Sequence, residues 1–304
     1  MTSASLIGIM TVLVVFAAPL MVGLAGWFDG RRMSPGAGRH FAWDWKLMIA
    51  SALLYVLAFN VTFFIQELFL VLPKALTQGL RPTLFHNNHS WDGESPLTNL
   101  FQGTGALATL ICGVICARLL RRGVGKSIML RLFLFWMAYS GIFMALPQVV
   151  IGAVSDQSDV GMAMAYFELG TTGKTIFALF ALAAIPLAGG WLGSLLLSQT
   201  AAREQVVDAK GRRRFLLKAA TLPALSALPV ITLFRVPREW IEVLLVPLMV
   251  TVIGLAWIQS NAWRSDVNAE GDTATVGSIA WPLGAVLSLL LFFQLVLRPG
   301  IHFY

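Results

Sequence analysis

Eight stretches of this chain, about 4–28, 47–72, 99–119, 128–153, 175–198, 215–234, 240–259 and 277–297, are continuous apolar runs long enough to cross a bilayer. A hydrocarbon core of ~30 Å takes about 20 residues of helix at ~1.5 Å each. Inside lipid every peptide group must find its partner within the protein, which leaves helices or a closed barrel. The runs are continuous, not alternating, and that selects helices. The expectation is an all-α polytopic integral membrane bundle of about eight transmembrane helices. Seven remain if the sixth, which holds Lys218, Pro223 and Pro229, does not cross.

Composition agrees. Only 12% of the 304 residues are charged and 57% are hydrophobic, whereas a soluble domain carries about 25% charged residues. The chain reads as one transmembrane domain, 1–304, with a core over 50–200, a polar loop at 77–98 and further helices over 199–304. The net charge of +7 is not a nucleic-acid signal, because the basic residues flank the spans, where they set topology. Membrane lipid is the expected partner, with a membrane protein as a further one. The opening MTSASLIGIM lacks a basic flank and a cleavage site and reads as the first span, not a cleaved signal peptide. Cys112 and Cys116 share a helix face and read as small packing residues, with a disulfide or metal pair as the lesser alternative.

Lysine and arginine orient the bundle. Fifteen lie in connections 29–46 (Arg31, Arg32, Arg39, Lys46), 118–131 (Arg118, Arg121, Arg122, Lys126, Arg131) and 199–218 (Arg203, Lys210, Arg212, Arg213, Arg214, Lys218). Five lie in the alternate connections: Lys74, Arg81, Lys174, Arg235 and Arg238. The positive-inside rule then puts the N-terminus outside and the basic loops in the cytoplasm, as for a plasma (inner) membrane protein. Arg264, Asp266, Glu270 and Asp272 would form a further cytoplasmic connection. KGRRRFLLKAATLPALSALP resembles a twin-arginine export signal, but it is internal and reads as a basic cytoplasmic flank. Gly105, Thr109 and Gly113, and Gly189 and Gly193, recur every four residues. Small residues so spaced let helices approach closely in lipid, which predicts that the third and fifth spans pack inside the bundle. No internal repeat is present.

Polar chemistry concentrates in two places. NVTFFIQELFLVLPKAL places Gln66 and Glu67 inside an apolar run, and Asn60 lies two turns earlier on Glu67's face. A charge at the bilayer centre costs about 2.5–3.5 kcal/mol on insertion scales. Such a glutamate is a functional candidate, unless it merely wets the helix end, since it lies ~32 Å along the axis from Lys46. Pro73 is expected to stop or kink the helix. The second place is FHNNHSWDG, with His86, Asn87, Asn88, His89 and Asp92 in a loop or re-entrant segment. On a helix, His86 and His89 would share a face; the alternative is a hydrogen-bonded loop plug. On the same side lie Gln102, Asp156, Asp159 and Glu168, the acidic ones explicable as a solvated turn. Glu67, His86, His89 and Asp159 together form a plausible ligand set for zinc or another divalent ion.

The order of these motifs resembles the site-2 protease-like membrane metalloproteases. That family carries HExxH on a helix, then a hairpin, a Gly-rich helix and an aspartate that supplies a zinc ligand. Here QELFL stands in the HExxH place, PKALTQGLRPTLF in that of the following hairpin, and NLFQGTGALATLICGVICARLL in that of the Gly-rich helix. SDVGMAMAY or PLAGGWLGSLLL stands where the aspartate motif would come. The resemblance implies Glu67 as general base. Gln66 and Leu70 replace both zinc histidines, and PLAGG lacks the aspartate. Three functions follow: a metal-dependent membrane enzyme or metal-binding protein, a non-catalytic pseudoenzyme scaffold holding a membrane partner, or a proton-coupled small-solute transporter using Glu67.

Overall fold

The computed structural model describes all residues except 1, 33–43, 126, 201–205, 207, 239 and 265–275. Arg39, Lys126, Arg203, Asp266, Glu270 and Asp272 of the charge count lie outside the described residues. Among the described residues eight helices are long and apolar enough to cross a membrane: Ser3–Phe28, Trp45–Ala75, Thr98–Arg121, Ile128–Val154, Thr171–Thr200, Ala209–Arg235, Val243–Asn261 and Ala280–Leu297. They are the first to eighth spans below. The protein is an integral membrane helical bundle.

Contacts between the ends fix the relative sidedness of the connections. After the second span the chain forms an antiparallel hairpin, β1 (Arg81–Leu84) and β2 (His89–Asp92). The C-terminal strand β3 (Ile301–His302) pairs with the other edge of β1 through Thr83↔His302 and Leu84↔Ile301. Six spans separate hairpin from β3, and an even number of crossings returns the chain to the side it left. The sixth span therefore crosses, and its last residue verifies this: the Arg235 carbonyl accepts from Asn87 Nδ2 at 2.9 Å. Eight spans, not seven, is the result. Pro82 sits in the central strand without breaking it, because β3 uses its carbonyl: Phe303 N–H donates to Pro82 O at 3.1 Å.

At the other end, Arg131 donates to Gln199 O at 2.9 Å, and Arg212 caps the seventh span through Ala262 O at 2.8 Å and Trp263 O at 3.0 Å. Cations suit the free carbonyls of a helix C-terminus. The described basic residues of the 118–131 and 199–218 connections thus gather opposite the hairpin.

The bundle centre is the fourth span, not the third or fifth. In its most apolar stretch 83% of the residues are buried, against 39% in each of those. Its Trp136 and Tyr139 pack with Tyr55 of the second span, and Phe143 packs on Tyr139. The Tyr139 hydroxyl donates to Thr251 O at 2.7 Å, and Trp136 Nε1 donates to Ser51 Oγ at 2.9 Å. The predicted small-residue faces are real contacts. A Cβ on Gly113 would lie 3.0 Å from Ile142 N, and one on Gly189 would lie 2.4 Å from Trp257 Cβ. They hold the third and fifth spans against the fourth and seventh, while the opposite faces of both look outward to lipid. Sequence hydropathy misses this distinction because lipid tails are as apolar as leucine.

The peripheral first span shows how sequence shapes an attachment. Leu13–Ala17 is a π-type turn, so Ala18 N–H bonds Leu13 O. Val14 O would next look to residue 19, which is Pro19 and has no N–H. The Trp257 indole of the seventh span fills that gap at 3.0 Å, and Trp263 Nε1 adds a second indole bond, to Val22 O at 3.0 Å. Trp257→Phe keeps an aromatic ring, though a smaller one, and orphans Val14 O. It is expected to cost ~1–2 kcal/mol in equilibrium unfolding in mixed micelles; an unchanged midpoint would show that the indole bond contributes nothing.

Candidate functional site

The hairpin closes over the end of the second span. Asn60, Glu67 and Lys74 are spaced by seven residues and share one face of that helix. The helix does not stop at Pro73 but runs on to Ala75, with Thr77 Oγ1 donating to Pro73 O at 2.8 Å. The hairpin base crosses itself at Gly79 and Gly93, whose φ angles are 88° and 94°. A Cβ on Gly93 would lie 1.9 Å from Gly79 O, so that crossing needs glycine. On β2, His89 and Trp91 are two apart and face the same way.

His89 is the centre of the cluster. Its Nδ1 lies 2.9 Å from Glu67 Oε2. Its Nε2 lies 3.1 Å from Lys74 Nζ and 3.2 Å from Gln102 Oε1. Lys74 is fully buried and also donates to Leu70 O at 2.9 Å and Gln102 Oε1 at 3.2 Å. Trp91 stacks on the His89 ring with centroids 5.6 Å apart, and Lys74 Nζ sits 4.4 Å from its ring centre. The imidazole thus bridges a carboxylate and an amine. With Lys74 charged, Nε2 accepts from it and Nδ1–H donates to Glu67. With the proton moved to the ring, Nε2–H faces Lys74 as a neutral amine and Gln102 Oε1 as an acceptor. Both states keep every group bonded, and the shift between them moves one proton along a 3.1 Å N···N axis.

Asp159 opens the short helix Asp159–Tyr166, where an acid favours the helix N-terminus. Its charge acts on Glu67, His89 and Lys74. Burial, and after it the Glu67 charge, push its carboxyl above the ordinary range, with His89 and Lys74 pulling the other way. A raised acid pKa means that the folded state binds the proton more tightly than the unfolded chain does. Stability from this group is therefore full at low pH and is lost as pH rises from its ordinary 3.8 through the raised value. Asp159→Asn is expected to flatten that decline in a pH series of unfolding midpoints; a wild-type slope retained in the variant would contradict it.

Glu67 and His89 are brought into contact, together with Gln102, while Asp159 acts on them through its charge alone. His86 is not. The expected shared helix face is replaced by a strand and a turn, which part the two histidines. His86 and Asn87 form the hairpin tip, closed by Phe85 N–H to Asn88 O at 2.8 Å. There His86 is buried, with no hydrogen bond to either ring nitrogen. It faces Arg298, Arg238 and Arg235. Burial first, and then these arginines, hold its pKa below the ordinary value, against the opposing Val236 backbone. Asn87 ties the tip to the sixth span. Gln66 accepts from Gln148 at 2.9 Å, and buried Asn60 donates to Val56 O at 2.8 Å. Asp92 and Glu168 are exposed.

Lys74, Trp91 and Gln148 went unread from sequence. Lys74 counted as a loop cation, although its seven-residue spacing from Glu67 was available. A divalent ion does not fit this arrangement: the Lys74 amine occupies the side of His89 Nε2 where a metal would bind. Among the described residues no group of three or more His, Cys, Asp or Glu is placed to hold a metal. Comparison with protein-family models, curated proteins and solved structures finds no match to this chain.

Proposed function

We propose that this membrane protein handles protons, and that the Glu67–His89–Lys74 cluster loads and releases a proton during coupled movement of a small solute. The observation that carries the reading is the His89 ring held between the Glu67 carboxylate and the Lys74 amine. Intramembrane ionisable groups paired in this way characterise proton relays. Asp159, at the start of the short helix Asp159–Tyr166, adds a further acid whose charge acts on all three groups. Inward, the Gln66–Gln148 pair is followed by Asn60 and Ser140, both buried with an oxygen lacking a partner; such polar positions suit buried water. The basic ends support an orientation with this site on the outer face of a plasma (inner) membrane and the N-terminus outside.

The test uses proteoliposomes with a lumenal pH dye and the potential clamped by potassium and valinomycin. With a mixture of candidate small solutes supplied outside, an external acid jump is expected to acidify the lumen, at least tenfold more slowly in Glu67→Gln and His89→Gln. Equal rates in all three proteins would remove the reading.

The protease-like scaffold is a second reading, supported by the hairpin that follows the glutamate-bearing helix. Gln66 and Leu70, in the places of the zinc histidines, are engaged otherwise: Gln66 bonds Gln148, and Leu70 packs where a Cβ on Gly105 would lie 2.8 Å away. A pseudoenzyme that holds a membrane partner fits this better than a zinc peptidase. Co-purification of one stoichiometric membrane protein, unaffected by Glu67→Gln, is what this reading expects.

A further inference from the structure

A groove of about 600 Å³ runs between the first and seventh spans at the end opposite the hairpin, within the ~300–1,000 Å³ of ordinary small-ligand sites. Phe16, Leu20 and Leu24 form one wall, and Val252 and Ala256 the other. Leu20 is 67% exposed and Leu24 54%. The groove is built in. The Trp257 and Trp263 indoles pin Val14 and Val22 of the first span, eight residues or ~12 Å apart. Gly23 comes close to the seventh span, with a Cβ position 3.8 Å from Ser260 Cβ, and leaves the space beside it open.

The mouth is polar and cationic. Arg213 and Gln259 line it. Arg212 is committed to the carbonyls of Ala262 and Trp263, and Gln259 Nε2 to Thr221 Oγ1 at 2.6 Å. Arg213 makes no hydrogen bond or ion pair with a described residue. It is half-buried beside an apolar trough, with Lys210 and Arg214 on the same short helical stretch. An apolar trough ending in a free guanidinium matches an acyl chain that ends in a phosphodiester. Basic pockets between spans on the cytoplasmic side bind anionic lipid headgroups, and Arg is well suited to phosphate.

We propose that this groove binds one anionic phospholipid of the leaflet opposite the hairpin, its acyl chain between the first and seventh spans and its phosphate at Arg213. The site lies across the bundle from the proton cluster and stands independently of it. The test is native mass spectrometry of the delipidated full-length protein titrated with phosphatidylglycerol or phosphatidylcholine. One phosphatidylglycerol per chain is expected to bind in preference to phosphatidylcholine. Arg213→Gln should weaken it about fivefold, and Gly23→Leu, which fills the trough, should abolish binding of both lipids. Inorganic phosphate should not displace the lipid; displacement would assign the mouth to free phosphate and overturn the proposal. Equal binding of both lipids, or wild-type affinity in Arg213→Gln, would overturn it too. Thermal midpoints near wild type confirm that each variant is folded.

Discussion

Lys74→Met destabilises the bundle by about 3–5 kcal/mol, the range for leaving a buried charge, here Glu67, without the opposite charge that offsets it across the His89 ring. Lys74 is fully buried, and its amine serves His89 Nε2, Gln102 Oε1 and Leu70 O at once. Methionine keeps the stem volume and removes all three bonds. Glu67 then keeps only His89, at 2.9 Å, in a surrounding that no longer supplies the compensating charge. The second variant decides whether charge or shape is responsible. Lys74→Met with Glu67→Gln removes both charges while filling the same space, and a neutralised pair of similar volume is often no less stable than the pair itself. The double variant is expected to recover to within ~1 kcal/mol of wild type, a coupling measurable as a double-mutant cycle. Unfolding in mixed micelles reads this directly. A Lys74→Met protein as stable as wild type, or a double variant no better than the single one, would mean that the cluster is wetter than its burial indicates.

The same residues show what a sequence can and cannot disclose about such a site. Each span is an apolar run, because the bilayer imposes that on every crossing segment regardless of neighbours. Span number and polarity were therefore legible, and the sixth span needed only the β1–β3 pairing to settle it. Glu67 was legible as an expense in an apolar stretch. His89 was legible as one of few histidines. Their contact was not, because it depends on a hairpin whose register turns His89 inward and sends His86 to the tip. A three-residue spacing means one face on a helix but opposite faces on a strand, and FHNNHSWDG carries no strong period of either kind. Lys74 failed for a different reason. A lysine at a span end is ordinarily a snorkelling boundary residue, and only the closure of the hairpin above it makes it interior.

Gly141→Leu is expected to prevent assembly of the bundle, and Gly141→Ala to cost about 1–3 kcal/mol, the range for overpacking. A Cβ at Gly141 would lie 2.4 Å from Thr109 O, 2.8 Å from Gly113 Cα and 2.9 Å from Gly113 N. All three are backbone atoms of the third span, so no rotamer change relieves the clash and the helices must separate. Separation has a wider consequence at this crossing than elsewhere. The third span also carries Gln102 into the Glu67–His89–Lys74 cluster and seats Gly105 against Leu70 and Gln66. Moving it outward at Gly141 would loosen the Lys74–Gln102 bond at the far end of the same helix. The control is Gly284 in the eighth span, where an added Cβ meets nothing within 4 Å. Gly284→Ala is expected to be neutral or to stabilise by up to ~1 kcal/mol through helix propensity. Unfolding midpoints of the two alanine variants, measured side by side, separate packing from propensity. If they shift alike, the third–fourth span contact is not the close backbone crossing that these distances describe.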